Sequence, residues 1–78
     1  MRVDLTKSGP GYRLEVGGAT WDENGETSVR VRFENKAGRF HSRSPEIPAW
    51  ALGPLFGFVQ EMIREGKLPA NALDDELT

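Results

Sequence analysis

The stretch VRVRFE, residues 29–34, decides how the rest of the chain is interpreted. Apolar and charged side chains alternate strictly in it, which is typical of a β-strand with one face buried and the other in water. The residues NKAG at 35–38 follow as a hairpin loop, and residues 39–43 are predicted to form the return strand. The segment therefore predicts an antiparallel hairpin, with Val29, Val31 and Phe33 on its buried face.

Two more strands are predicted before this hairpin. Residues 2–5 and residues 12–16 show the same alternation of apolar and charged side chains, and the turn sequence KSGPG at 7–11 separates them. Gly17-Gly18 predicts a β-bulge, because glycine tolerates the backbone angles of a bulge and one inserted residue shifts side-chain parity by one. That shift would bring Trp21 into the core and make residues 22–25 the tip of the next hairpin. Without the bulge, Trp21 would lie on the solvent face.

The second half of the chain is predicted to be helical. Ser44 is a suitable N-cap with Pro45 at the first helical position, which indicates a short turn of helix over 45–52. Gly53-Pro54 would then break or kink the helix, and the main helix would run over 54–65 and end at Gly66. One broad face of that helix is apolar: Leu55, Phe56, Phe58, Val59, Met62 and Ile63.

These elements predict an α+β fold, a four-stranded antiparallel meander with one face covered by a kinked C-terminal helix. Residues 1–69 are expected to form a single domain, and residues 70–78 an acidic tail or a last helical turn. A chain of 78 residues without cysteine has little apolar area to bury and no disulfide to help it, so we expect a homodimer. Trp50 and Phe58 are the candidates for self-association, because aromatic side chains are enriched at interfaces.

Composition excludes several functions. One histidine, no cysteine and no nucleophile elbow or phosphate loop predict a protein that is not an enzyme, with no small-molecule cofactor and no metal. The first residues, MRVD, lack the apolar stretch of a signal peptide, and no run approaches the roughly 20 apolar residues of a membrane span. Together with the missing cysteines, this predicts a cytoplasmic location and no contact with a membrane.

The alternation also segregates charge, although the net charge is only −2. The face opposite the apolar side chains is predicted to collect Arg2 and the candidate residues for an anionic partner: Arg13, Arg30, Arg32, Arg39, His41 and Arg43. Arginine presents a planar fork that suits carboxylate and phosphate groups. An equally consistent interpretation is a solvated sheet face on which arginine and glutamate pair across strands.

The expected function is a small, non-catalytic protein-binding or regulatory module, homodimeric, whose Arg-rich sheet face meets an acidic partner. The alternative is a nucleic-acid-binding module that contacts phosphates through the same face. Against the alternative, single-strand binders stack bases on exposed aromatic side chains. Here Tyr12, Phe33 and Phe40 are all predicted to lie on the buried side.

The order of four strands and a terminal helix resembles that of the single-stranded-DNA-binding transcriptional coactivators, which are dimers. Ser44-Pro45-Glu46 followed by Trp50 is similar to the helix entry of that family. The basic Lys-Gly run expected before that helix is replaced here by Phe40-His41-Ser42. The resemblance covers about a dozen positions, supports the nucleic-acid alternative and implies no site residues.

Overall fold

A computed structural model describes residues 1–74 of the protein. Four strands form one antiparallel sheet in the order in which they occur along the chain: β1 (Arg2–Gly9), β2 (Tyr12–Ala19), β3 (Asp22–Phe33) and β4 (Glu46–Pro48). A 3-10 turn, Ala49–Ala51, leads into the helix α1, Leu52–Arg64. The predicted fold class, an α+β protein with a four-stranded antiparallel meander and a C-terminal helix, is confirmed.

The register of β2 against β3 separates two faces of the sheet. Arg13 lies opposite Arg32 and Glu15 lies opposite Arg30, and we call the face that carries these four side chains the charged face. The alternate positions form the apolar face: Tyr12, Leu14, Val16, Val29, Val31 and Phe33. The side-chain parity predicted for residues 12–16 and 29–34 is therefore confirmed.

The return strand predicted at residues 39–43 is wrong. This segment is irregular apart from a single bridge between Glu34 and Phe40. The fourth strand instead lies at residues 46–48, where Ile47 pairs with Val29 and continues the alternation of the sheet. The turn of helix predicted over residues 45–52 is therefore absent at its start. Residues 46–48 pair with β3 instead, and the pairing brings hydrogen-bond donors to Glu46.

Two further predictions at the start of the helix are wrong. The Ser44 hydroxyl is buried without a hydrogen-bond partner and caps no helix, so the helix entry on which the family resemblance rested is absent. Gly53-Pro54 does not break α1, because Pro54 is the third residue of the helix. The amide groups of the first turn have no partner within a helix, so proline costs little there.

The end of the helix is as predicted. Gly66 adopts a positive φ of 73°, which glycine reaches without steric cost. The amide of Lys67 donates to the carbonyl of Met62 at 2.8 Å, and the amide of Gly66 donates to that of Ile63 at 3.1 Å. These two bonds are the Schellman arrangement that terminates α-helices.

The bulge predicted at Gly17-Gly18 is absent from β2, and the irregularities lie in the two strands that pair with it. The register between β2 and β3 shifts after Gly18, which pairs with Thr27, whereas Ala19 pairs with Asp22. Residues 23–26 of β3 therefore have no partner on β2, and no change of parity in β2 carries Trp21 inward. Trp21 lies in the turn before β3 and is 52% exposed, so its predicted burial is wrong, and residues 22–25 are not a hairpin tip.

The apolar side chains are poorly covered in a single copy of the chain. Among residues 1–74, Ala19 is the one fully buried apolar residue, while Leu5 is 69% and Phe33 48% exposed. The 3-10 turn lies against β3, whereas the backbone of α1 makes few contacts with the sheet. The helix consequently leaves much apolar surface of the sheet, and of its own face, in water.

A close approach between β1 and β2 requires glycine at position 17. A Cβ atom on Gly17 would lie 1.7 Å from the carbonyl oxygen of Arg2, where the register of β1 shifts between Val3 and Leu5. Since that neighbour is backbone, no side-chain rotation can relieve the overlap, and the strand itself would have to move.

We expect Gly17→Ala to lower the free energy of unfolding by about 2–3 kcal/mol, the cost of overpacking a site that cannot relax. Urea denaturation followed by circular dichroism measures the change. Thr6→Ala, at an exposed position of β1, is the control and should stay within about 0.5 kcal/mol of the parent. Equal stability of the Gly17 variant and the parent would contradict the register of β1.

Candidate functional site

The charged face is built around the carboxylate of Glu15, which is 3% exposed. Arg30 donates from Nε to Glu15 Oε1 at 2.7 Å, and Arg13 Nε lies 3.4 Å from Glu15 Oε2. A buried carboxylate is tolerated only when opposite charge and hydrogen bonds compensate its lost hydration. Two of the predicted anion-binding arginines are therefore engaged inside the protein itself.

Phe40 lies against the charged face, so its predicted position on the buried, apolar side is wrong. The guanidinium carbons of Arg13 and Arg32 lie 5.5 Å and 5.6 Å from the centre of its ring. Such cation–π contacts contribute about 0.5–1 kcal/mol each at exposed sites. The parity rule did not apply to Phe40, because the segment that carries it is not a strand.

The structure brings together only part of the predicted anion-binding set. Arg13, Arg30 and Arg32 share the charged face, whereas His41 lies against the ring of Phe33, with centroids 4.6 Å apart, on the apolar side. Arg39 and Arg43 are exposed in the segment between β3 and β4.

Arg2, which was expected on the same face, lies opposite Gly18 and so falls on the other side of the sheet. It forms an ion pair with Asp4 at 3.1 Å. Within residues 1–74, the arginines of the predicted set that form no ion pair are Arg32, Arg39 and Arg43. The role of the whole set in binding stays a prediction.

Glu46 connects β4 with β3 and with the turn that precedes β3, a role that its sequence position did not indicate. Its carboxylate accepts hydrogen bonds from the Thr20 hydroxyl, from the Thr20 amide at 3.0 Å and from the Ser28 hydroxyl at 2.9 Å. The pKa of Glu46 is lowered below its ordinary value, chiefly by the hydrogen bond from the Thr20 hydroxyl. The bonds from the Thr20 amide and from Ser28 add to this effect, and partial burial opposes it. The carboxylate thereby holds β4 against the turn between β2 and β3.

A lowered pKa in the folded state means that ionised Glu46 stabilises the fold above its ordinary pKa, and that this contribution is lost as the pH falls through the folded-state pKa. We therefore expect Glu46→Gln to be less stable than the parent at pH 7 and the difference to shrink in acid. Thermal unfolding across pH measures it, with the exposed Glu34→Gln as control. A difference between the Glu46 variant and the parent that does not change with pH would contradict this role.

A second carboxylate, that of Glu26, accepts hydrogen bonds from two indole groups. Trp21 donates from Nε1 to Oε2 at 2.6 Å, and Trp50 donates from Nε1 to Oε1 at 2.9 Å. Trp50 comes from the 3-10 turn and is 73% exposed. No spacing in the sequence indicates this cluster, because its members are brought together by the unpaired residues of β3 and the position of the turn.

The apolar side of the helix contains an open groove of about 330 Å³. Five apolar side chains line it: Leu52, Leu55, Phe56, Val59 and Leu73. Leu73 belongs to the segment predicted as a tail or last turn, and the part of that segment from residue 75 on lies outside the described residues. Phe58, one of the two side chains predicted for self-association, is 57% exposed on the same helix.

Over residues 1–74, no group of three or more histidine or carboxylate side chains is placed to hold a metal ion. No helix of that part is long and apolar enough to cross a bilayer. Comparisons with protein-family models, with curated proteins and with solved structures find no match to this chain. The function must therefore be argued from the surfaces described above.

Proposed function

We propose that this chain is a non-catalytic protein-binding module of regulatory type that acts as a homodimer. The observation that carries the proposal is the amount of apolar surface that one copy leaves in water. Leu5 and Phe33 on the sheet, and Leu55, Phe56 and Phe58 on the helix, are all between 43% and 69% exposed. Large exposed apolar side chains that gather on one part of the surface, as they do in the groove of the helix, mark interaction sites in folded proteins.

The size of the surface supports a second copy as its partner. The chain exposes 5921 Å², whereas a compact monomer of 8.7 kDa exposes about 4,700 Å². The difference of about 1,200 Å² exceeds the roughly 800 Å² that each partner buries in a standard interface. The radius of gyration points the same way, being 14.0 Å against about 11.5 Å for a compact chain of this length.

Stability supports the same conclusion. Burial of apolar area is the main favourable contribution to folding, and chains shorter than about 80 residues depend on staples or on association. This chain has no cysteine for a disulfide. Burying the groove around Phe56 and the apolar face of the sheet against a second copy would supply the missing apolar contacts.

Sedimentation equilibrium at micromolar concentration tests the dimer. We expect a mass of twice 8.7 kDa for the parent and a monomer for Phe56→Lys, because a charge in the apolar groove cannot be buried without cost. Glu61→Lys, on the other side of the same exposed helix, carries the same new side chain and should remain dimeric.

A parent that sediments as a monomer would overturn the proposal. Loss of the dimer could unfold the chain, so thermal unfolding of the parent gives a second, independent measurement. The Tm of a dimer rises with protein concentration, since association and folding are linked. A Tm that is constant over a hundredfold range of concentration would count against the dimer as strongly as a monomeric mass.

We further propose that the partner is acidic and is met by the arginines that the fold leaves unpaired. Arg13 and Arg30 are engaged with Glu15, so Arg32, Arg39 and Arg43 are the arginines of the predicted anion-binding set that remain for an external anion. Residues 46–78 carry six acidic and two basic side chains, which places the positive charge of the chain in its first half. A cytoplasmic location stays a prediction.

A double variant, Arg39→Glu with Arg43→Glu, tests this surface without touching the buried ion pairs. We expect it to abolish binding of a polyglutamate peptide and to leave the dimer intact, as measured by fluorescence anisotropy and sedimentation. Lys36→Glu with Lys67→Glu, which also reverses two exposed charges, is the control. Undiminished polyglutamate binding by the arginine variant would contradict the proposal.

The nucleic-acid alternative gives a different result in the same assay. It requires that the parent bind oligothymidylate and that the affinity fall steeply with salt, because each phosphate contact releases counterions. The acidic environment of the two exposed tryptophans, together with the internal pairing of Arg13 and Arg30, favours a protein partner.

A further inference from the structure

Both tryptophans of the chain are held by one carboxylate. Glu26 accepts one indole N–H on each of its two oxygens, from Trp21 at 2.6 Å and from Trp50 at 2.9 Å. Glu26 is itself half-buried, in the part of β3 that has no partner on β2. Trp21, from the turn before β3, and Trp50, from the 3-10 turn, are thereby held by hydrogen bonds to the same carboxylate.

The rings themselves remain in water. Trp21 is 52% and Trp50 is 73% exposed, although tryptophan is among the side chains that gain most from burial. The hydrogen bonds to Glu26 occupy the single polar group of each indole. What each ring offers to solvent is therefore its apolar, electron-rich surface, which is the part that contacts ligands by stacking or by cation–π interaction.

The charge around the rings selects between these two kinds of ligand. Asp22 and Glu23 lie in the same segment as Glu26, and no ion pair neutralises these three carboxylates within residues 1–74. Arg2 approaches this segment and donates to the backbone carbonyl of Glu23 at 2.8 Å, but its ion pair is with Asp4. A stacked nucleobase would bring its phosphate close to these carboxylates, which would repel it. A cation would be attracted by the rings and by the carboxylates together.

We propose that Trp21, Trp50 and Glu26 form a binding site for an organic cation of the methylated-ammonium class. The methyl groups of the cation contact the indole rings, and its charge is balanced through space by the carboxylate of Glu26, since a quaternary ammonium has no N–H to donate. Such a cation is weakly hydrated, so transfer from water to an aromatic surface costs it less than it would cost a primary ammonium. The site goes beyond the proposed homodimer and does not depend on it.

Intrinsic tryptophan fluorescence reports on this site alone, because the chain has no other tryptophan. Titration with tetramethylammonium chloride, at ionic strength held constant with sodium chloride, should give a saturable change in emission. The neutral isostere tert-butanol should bind at least about tenfold more weakly, since it lacks the charge that the rings and Glu26 recognise. An equal response to the neutral compound, or no saturable response to the cation, would overturn the proposal.

Choline and a peptide carrying trimethyl-lysine distinguish the two sources of such a cation. If the site serves a free metabolite, choline should bind at least as tightly as the peptide. If it serves a modified protein, the peptide should bind more tightly than the same peptide with unmodified lysine. Equal binding of the modified and unmodified peptides, together with weak binding of choline, would refute recognition of the methylated group.

Two variants separate ligand binding from structure. Glu26→Gln should weaken tetramethylammonium binding at least about fivefold, because it removes the charge and one indole acceptor. The control is Glu23→Gln, which removes the same charge from a neighbouring side chain that holds no indole. This control variant should bind the cation nearly as tightly as the parent does. Trp50→Leu, at a largely exposed position, should leave the fold intact and still weaken binding. Parent-like affinity in both the Glu26 and the Trp50 variants would reject the site.

Discussion

The pairing of Glu15 on β2 with Arg30 on β3 is the interaction on which the rest of the structure depends. The two residues lie directly opposite one another in the ladder, and their side chains meet at 2.7 Å. Because successive side chains point to opposite faces of a sheet, this single register sends the apolar residues of both strands to the other side. A slip by one residue would place a carboxylate among them and separate it from its guanidinium partners.

The same pairing explains why neither face of the sheet is finished by one copy of the chain. On the charged face, Glu15 engages Arg13 and Arg30, and Phe40 covers Arg13 and Arg32. On the apolar face, His41 packs against Phe33, but the helical segment approaches the sheet chiefly through its 3-10 turn, and Val31 and Phe33 stay exposed. The charged face is thus only partly satisfied internally, because Arg32 forms no ion pair within residues 1–74. The apolar face leaves large side chains such as Phe33 in water, which is why self-association, rather than anion binding, is the main basis of the functional proposal.

The irregular part of β3 produces the most unusual surface of the molecule. Four residues of that strand, 23–26, have no partner on β2, and bulged segments re-aim side chains that a regular ladder would send to a fixed face. Here the irregularity allows Glu26 to reach the indoles of Trp21 and Trp50. The backbone thus departs from regular pairing at the same place where two large aromatic rings are held by one carboxylate and stay exposed.

Side-chain alternation and glycine positions, which are local properties of the sequence, were enough to predict the presence of β1 to β3, the two faces of residues 12–16 and 29–34, and the end of the helix at Gly66. The strands extend into segments predicted as turns, residues 7–9 and 22–25. The three-residue strand at 46–48 was missed because it is too short to show a period of its own and is held by hydrogen bonds from Thr20 and Ser28 to Glu46. The positions of Phe40 and His41, and the contact of Glu26 with tryptophans 5 and 24 residues away, likewise appeared only in the folded chain. Periodicity in the sequence indicates which way a side chain points within a regular strand or helix. Irregular segments are positioned by contacts between residues that are distant in sequence, and only the tertiary structure decides which of these contacts form.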